Sequence, residues 1–113
     1  MLWFRELKGS QPGKLHSIPL GLSRPLTIGR YPGCDVFLYG PTVAKHHVFF
    51  MVHEDEYLSL HYVRRGYHTL IDGRPVHVVQ DAIPSRMLWI EGSNLIRGRL
   101  MEVGQFTLEL IGD

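Results

Sequence analysis

Seven histidines, one cysteine and a run of carboxylates are the side chains of this 113-residue sequence with the usual metal-binding or catalytic chemistry. A metal needs several such ligands converging at set spacings. His46 and His47 are adjacent, so on a strand they point to opposite faces and do not share an ion. His53 and His61 flank an expected hairpin turn, with no acidic or cysteine partner at ligand spacing. The lone Cys34 excludes an internal disulfide and a metal site built on paired cysteines. It follows Pro32-Gly33 and is expected to pack in that turn as a small residue, with Asp35 bonding nearby backbone N–H groups as a turn former. Glu54-Asp55-Glu56 reads as a solvated turn. The sequence has no phosphate loop, no Gly-x-Ser-x-Gly elbow and no His-Glu-x-x-His. The expectation is a non-enzymatic chain with no metal and no cofactor.

The elements that carry these residues are short. Twelve glycines and seven prolines are spread along the whole chain, leaving no linker and no room for several long helices. The pieces between them read as strands: Leu2–Glu6, Leu15–Leu20, Leu26–Arg30 and Val36–Tyr39. Val48–Val52 is apolar on both faces, as a central strand should be. Leu58, Leu60 and Tyr62 alternate with Ser59, His61 and Val63, which predicts a half-buried strand. Phe106, Leu108 and Leu110 alternate with Thr107 and Glu109 in the same way. Short strands with regular turns imply an all-β sandwich or barrel. The one helix-like stretch, Gln80–Ile83, is stopped by Pro84.

Bulk properties set limits. With 44% hydrophobic and 20% charged residues the chain is globular, not disordered, coiled-coil or fibrous. Its length fits one domain spanning residues 1–113. No apolar run approaches the roughly 18 residues of a membrane helix, and no signal peptide is evident. The balance of 12 basic and 11 acidic residues argues against a nucleic-acid binder. A single cysteine fits a reducing, intracellular compartment, most simply the cytoplasm.

The motifs are more informative. Leu26-Thr27-Ile28-Gly29-Arg30 is followed by Tyr31-Pro32-Gly33-Cys34-Asp35-Val36, then Val43-Ala44-Lys45-His46-His47-Val48. Thr69-Leu70-Ile71-Asp72-Gly73 and the segment from Leu95 to Gly104 come next, then Phe106. In this order and spacing the chain resembles the forkhead-associated (FHA) domain, a phosphothreonine-peptide-binding module. The resemblance implies a sandwich of about eleven strands in two sheets, binding its partner through loops at one end. Rigid sheets leave such loops free to carry recognition.

The resemblance also implies roles for single residues. Arg30, after the structural Gly29, falls where the family braces the phosphopeptide, and Lys45 falls on a common phosphate-contacting position. His47 matches a histidine that holds the loops by hydrogen bonds. Ala44 stands in place of a phosphate-bonding serine, and Tyr67 in place of the asparagine that clamps the peptide backbone. Asp72-Gly73 matches a structural turn. Arg64 and Arg65 precede Tyr67 and, with His46 and His68 nearby, are candidates to complete a cationic rim.

With the serine and asparagine positions changed, the leading expectation is an FHA-type protein-interaction module that binds its partner through phosphate-independent surfaces, self-association included. One alternative is phosphothreonine-peptide recognition through Arg30 and Lys45, aided by Arg64 or Arg65. Another is a small β-sandwich binding nucleic acid or an anion at the basic loops. Residues 75–94 form an excursion longer than the family's usual link. Trp89 within it is expected either in the core or in an exposed apolar patch of the kind that marks a partner surface.

Overall fold

The structure, a computed structural model, describes residues 1–54, 56–76 and 94–112. Among them are eleven strands: β1 (Leu2–Lys8), β2 (Leu15–Ile18), β3 (Leu26–Gly29), β4 (Val36–Phe37), β5 (Val48–Val52), β6 (Leu58–Val63), β7 (Thr69–Ile71), β8 (Arg74–Pro75), β9 (Asn94–Leu95), β10 (Leu100–Val103) and β11 (Phe106–Gly112). No helix of the described residues is long and apolar enough to cross a membrane.

The strands form two sheets, a six-stranded one in the order β2-β1-β11-β10-β7-β8 and a five-stranded one in the order β4-β3-β5-β6-β9. Every pairing is antiparallel except β3 with β4. The alternating apolar residues of both sheets face inward, as the period of two requires. Phe4, Phe106, Leu108 and Leu110 come from the first sheet, and Leu26, Ile28, Val48, Phe50, Leu58 and Leu60 from the second. Phe4 and Phe50 meet edge to face across the layers, with ring centroids 6.1 Å apart. The all-β sandwich expected from the sequence is the fold observed.

Strand β6 departs from that expectation. It is buried along nearly its whole length, not on one face. Its pairing with β5 shifts between Phe49, which faces Tyr62, and Phe50, which faces Leu60, so His61 is an extra residue. A bulge of this kind inverts the parity beyond it. Leu58, Leu60 and Val63 therefore point into the core, whereas Tyr62 joins Phe49 on the outer face.

Two turns also differ in detail. The Glu54–Glu56 turn is not simply solvated, because Glu56 pairs with Arg97 at 2.8 Å. Asp72 and Gly73 have φ of 51° and 78° and close the β7–β8 hairpin in the left-handed conformation that a two-residue turn requires. Most of the 75–94 excursion, including Gln80–Ile83 and Trp89, lies outside the described residues.

Candidate functional site

The end of β3 and the loop entering β5 are locked together by close backbone packing. A Cβ on Gly29 would lie 2.0 Å from the Lys45 carbonyl oxygen, so only glycine fits there without backbone movement. The next residues extend the contact: Arg30 N–H donates to the Ala44 carbonyl at 2.9 Å, and Tyr31 N–H to that of Lys45 at 3.2 Å. The Cys34 thiol donates to the same Lys45 oxygen at 3.3 Å. Burial pushes the Cys34 pKa up, which keeps it a protonated packing group and not a nucleophile.

Asp35 does more than form the turn. Its carboxylate accepts both terminal nitrogens of Arg24, at 3.0 and 2.7 Å, and the Thr27 backbone N–H at 3.0 Å. The hydrogen-bonded Arg24 guanidinium holds the Asp35 carboxyl below its ordinary pKa, so it is ionised throughout the neutral range. Asp35 thus ties the turn back to β3.

His47 is fully buried behind this loop. Its Nδ1 accepts the Ala44 N–H at 3.1 Å, which leaves Nε2 to carry the proton. Nε2 then donates toward the His68 carbonyl at 3.1 Å and the Thr69 hydroxyl at 2.8 Å. Burial lowers the His47 pKa to about 4, so the ring is neutral at pH 7. One imidazole joins the loop before β5 to the loop before β7, and the Tyr67 ring packs edge-on against it at 5.5 Å.

Between these two loops lies a groove of about 580 Å³, lined by Arg30, Ala44, Lys45, His46, Phe49, Tyr62, Arg64 and Tyr67. Arg30, Lys45 and Arg64 are thus brought together with Ala44 and Tyr67. Arg65 and His68 do not line the groove, and His68 instead reaches the Glu102 carboxylate at 3.5 Å. Asp72 and Gly73 sit in the separate β7–β8 turn, where Asp72 accepts from Arg99 at 2.9 Å. Arg30 is oriented by its Nε, which donates to the Val43 carbonyl at 3.1 Å. Arg64 donates to the Tyr62 hydroxyl at 3.3 Å.

Sequence reasoning missed Phe49 and Tyr62 as groove residues. Phe49 was readable only as part of a central strand, and the bulge at His61 hides the position of Tyr62. They extend the groove from the loops onto the outer face of the five-stranded sheet. The rings of Tyr31 and His46 are 5.5 Å apart, those of His46 and Phe49 6.2 Å, and those of Phe49 and Tyr62 5.5 Å. The site therefore offers converging positive charge above an aromatic floor, an arrangement suited to holding an anion. His53 and His61 do meet, but through the Ser59 hydroxyl, at 2.6 and 2.7 Å. Among the described residues no group of three His, Cys, Asp or Glu side chains is placed to hold a metal.

No curated protein matches the chain. The fold is shared by the FHA domain of CT664 from Chlamydia trachomatis, with a TM-score of 0.70 and 15% identity over 99% of this chain and 97% of that one. The N-terminal FHA domain of S. cerevisiae Rad53p, solved with a phosphothreonine peptide, gives 0.69 and 19% over 99% and 93%. The cytoplasmic domain of the sorting platform protein PscD from P. aeruginosa gives 0.69 and 17% over 96% and 78%. At such identities the likeness is one of fold. The family model for the FHA domain matches residues 26–84, just over half of the sequence and the part that builds the groove. The chain belongs to the FHA family.

Proposed function

We propose that this chain is a non-enzymatic protein-interaction module that takes an anionic, phosphorylated side chain of a partner protein into the groove at its loop end. The observation that carries this reading is the convergence of Arg30, Lys45 and Arg64 on one groove. In a chain of net charge +1 such a cluster is a local feature that the overall balance hides. Charge-assisted hydrogen bonds from arginine and lysine are the strong contacts available to a phosphate. The Rad53p domain of the same fold was solved with a phosphothreonine peptide. The test is a binding titration of phosphorylated and unphosphorylated versions of the same peptides against the wild-type protein and Arg30→Ala. Binding that requires the phosphate and falls about tenfold or more in the variant supports the reading.

A second reading is phosphate-independent binding. It is favoured by Ala44, whose methyl group cannot supply the hydroxyl expected there, and by Tyr67, whose phenol cannot supply the amide expected there. The exposed rings of Phe37 and Tyr39, 6.2 Å apart at the end of edge strand β4, offer an apolar contact elsewhere. Under this reading Arg30→Ala leaves partner binding unchanged, whereas Tyr39→Ser weakens it.

A further inference from the structure

We propose that the groove selects an anion carried on an aromatic ring, of which the phosphotyrosine side chain is the simplest example in a protein partner. The proposal rests on the anion-groove reading above and names the ligand class. Its basis is the make-up of the lining. Besides the three cations, the groove walls are a phenyl ring, two phenol rings, an imidazole and the methyl group of Ala44. Among the described residues of that lining, the side-chain hydroxyls are those of Tyr62 and Tyr67. A small aliphatic phosphate ester would meet the cations and leave the ring surfaces uncovered.

The floor and the cations are continuous. Phe49 and Tyr62 pair across β5 and β6 on the outer face of the sheet, and the Tyr62 hydroxyl is held by Arg64. The ring surface therefore ends at a guanidinium. Tilted and edge-to-face rings at these separations are the favoured aromatic geometry, and a further ring can join them in the same way. A ligand ring placed against the accessible part of Phe49, beside the largely buried Tyr62, can present its para substituent to the cations of the same groove. The groove volume of about 580 Å³ accommodates a ring with its anion, and lies well inside the range of small-ligand sites. Tyr67, 41% exposed, stands at the mouth with its ring braced on His47, available to cover one side of such a ligand.

The experiment is an amide chemical-shift titration of the full chain with three probes: the N-acetyl amides of phosphotyrosine, phosphothreonine and unmodified tyrosine. The expected result is that phosphotyrosine binds about tenfold or more tightly than phosphothreonine, with shifts at Phe49, Tyr62 and Arg64, and that tyrosine is weaker than both. Phe49→Leu keeps an apolar side chain at the position but removes the ring. It should collapse the preference to about threefold or less, because phosphotyrosine affinity falls more than phosphothreonine affinity. A well-dispersed amide spectrum of the variant verifies that it is folded. Phosphothreonine binding as tightly as phosphotyrosine overturns this proposal and leaves the anion-groove reading standing. So does a preference that survives in Phe49→Leu. If neither phosphorylated probe shifts the groove residues, both readings fail.

Discussion

Phe49 and Tyr62 face each other across β5 and β6 with ring centroids 5.5 Å apart, on the side of the sheet turned away from the core. They meet because His61 is an extra residue in β6 that reverses the inward-outward alternation after Leu60. A structural bulge thereby adds an aromatic floor to the cationic groove at the loop end.

Replacing Phe49 by Ala removes a ring from this pair without opening the core, since Phe49 is only partly buried. The expected cost is about 1–2 kcal/mol, below that of a fully buried phenylalanine such as Phe50. Urea denaturation of Phe49→Ala and Phe50→Ala checks the order. Equal losses would mean that the outer face is packed as tightly as the core.

The sequence made part of this site legible. Gly29-Arg30 and Lys45 lie in motifs whose order along the chain carries their proximity, and Arg64 was a candidate through its place in the loop just ahead of Tyr67. The alternation in Phe106–Leu110 likewise marked an inward face, because nothing interrupts its period. Tyr62 was placed with Leu58 and Leu60, since simple alternation puts them together and a bulge leaves no local mark in composition. Pairings between distant residues were also hidden. Arg24 with Asp35 and Arg97 with Glu56 depend on how strands stack, not on spacing along the chain.

Gly29 and Gly98 separate two reasons for glycine. At Gly98 a Cβ meets nothing within 4 Å, and only its φ of 85° penalises a side chain. Gly98→Ala should cost about 1–2 kcal/mol. At Gly29 the added Cβ would collide with the Lys45 carbonyl, which has no flexible end to yield. Gly29→Ala should cost about 3 kcal/mol or more and also weaken anion binding, because Lys45 must move. Thermal denaturation of the two variants tests the first claim, and a phosphopeptide titration of Gly29→Ala tests the second. Unchanged binding there would show that the position of Lys45 does not matter.

Asp35 should act through the turn it holds. Asp35→Ala leaves the Thr27 N–H without its acceptor and is expected to cost about 1–2 kcal/mol. Arg24→Ala should destabilise less, since its guanidinium is exposed to solvent. The folded-state pKa of Asp35 is lowered, so its contribution is present above the ordinary carboxylate pKa of about 4 and is lost as the pH falls below that. Amide exchange at Thr27 and Cys34 should quicken in Asp35→Ala. Unaltered exchange would argue that backbone bonds alone hold the turn.

His47 gives the fold a defined acid sensitivity. Its pKa falls from 6.5 to about 4 on burial, so below pH 6.5 the unfolded chain binds a proton that the folded chain does not. Stability should therefore be unaffected by this group above pH 6.5, decline as the pH drops toward 4, and level off below that. Between pH 7 and pH 5 the loss from His47 is about 2 kcal/mol. His47→Gln should be less stable than wild type at pH 7 by about 1–3 kcal/mol, having lost well-placed buried hydrogen bonds. Its stability should change less between pH 7 and pH 5 than that of the wild type. Urea unfolding of both proteins at the two pH values decides the point. Equal pH dependence in the two would show that His47 is not the group that titrates. The same imidazole links the loop of Ala44 to that of His68 and Thr69, and it stays neutral in the folded chain until about pH 4, so its protonation is expected to weaken phosphopeptide binding only near and below that pH.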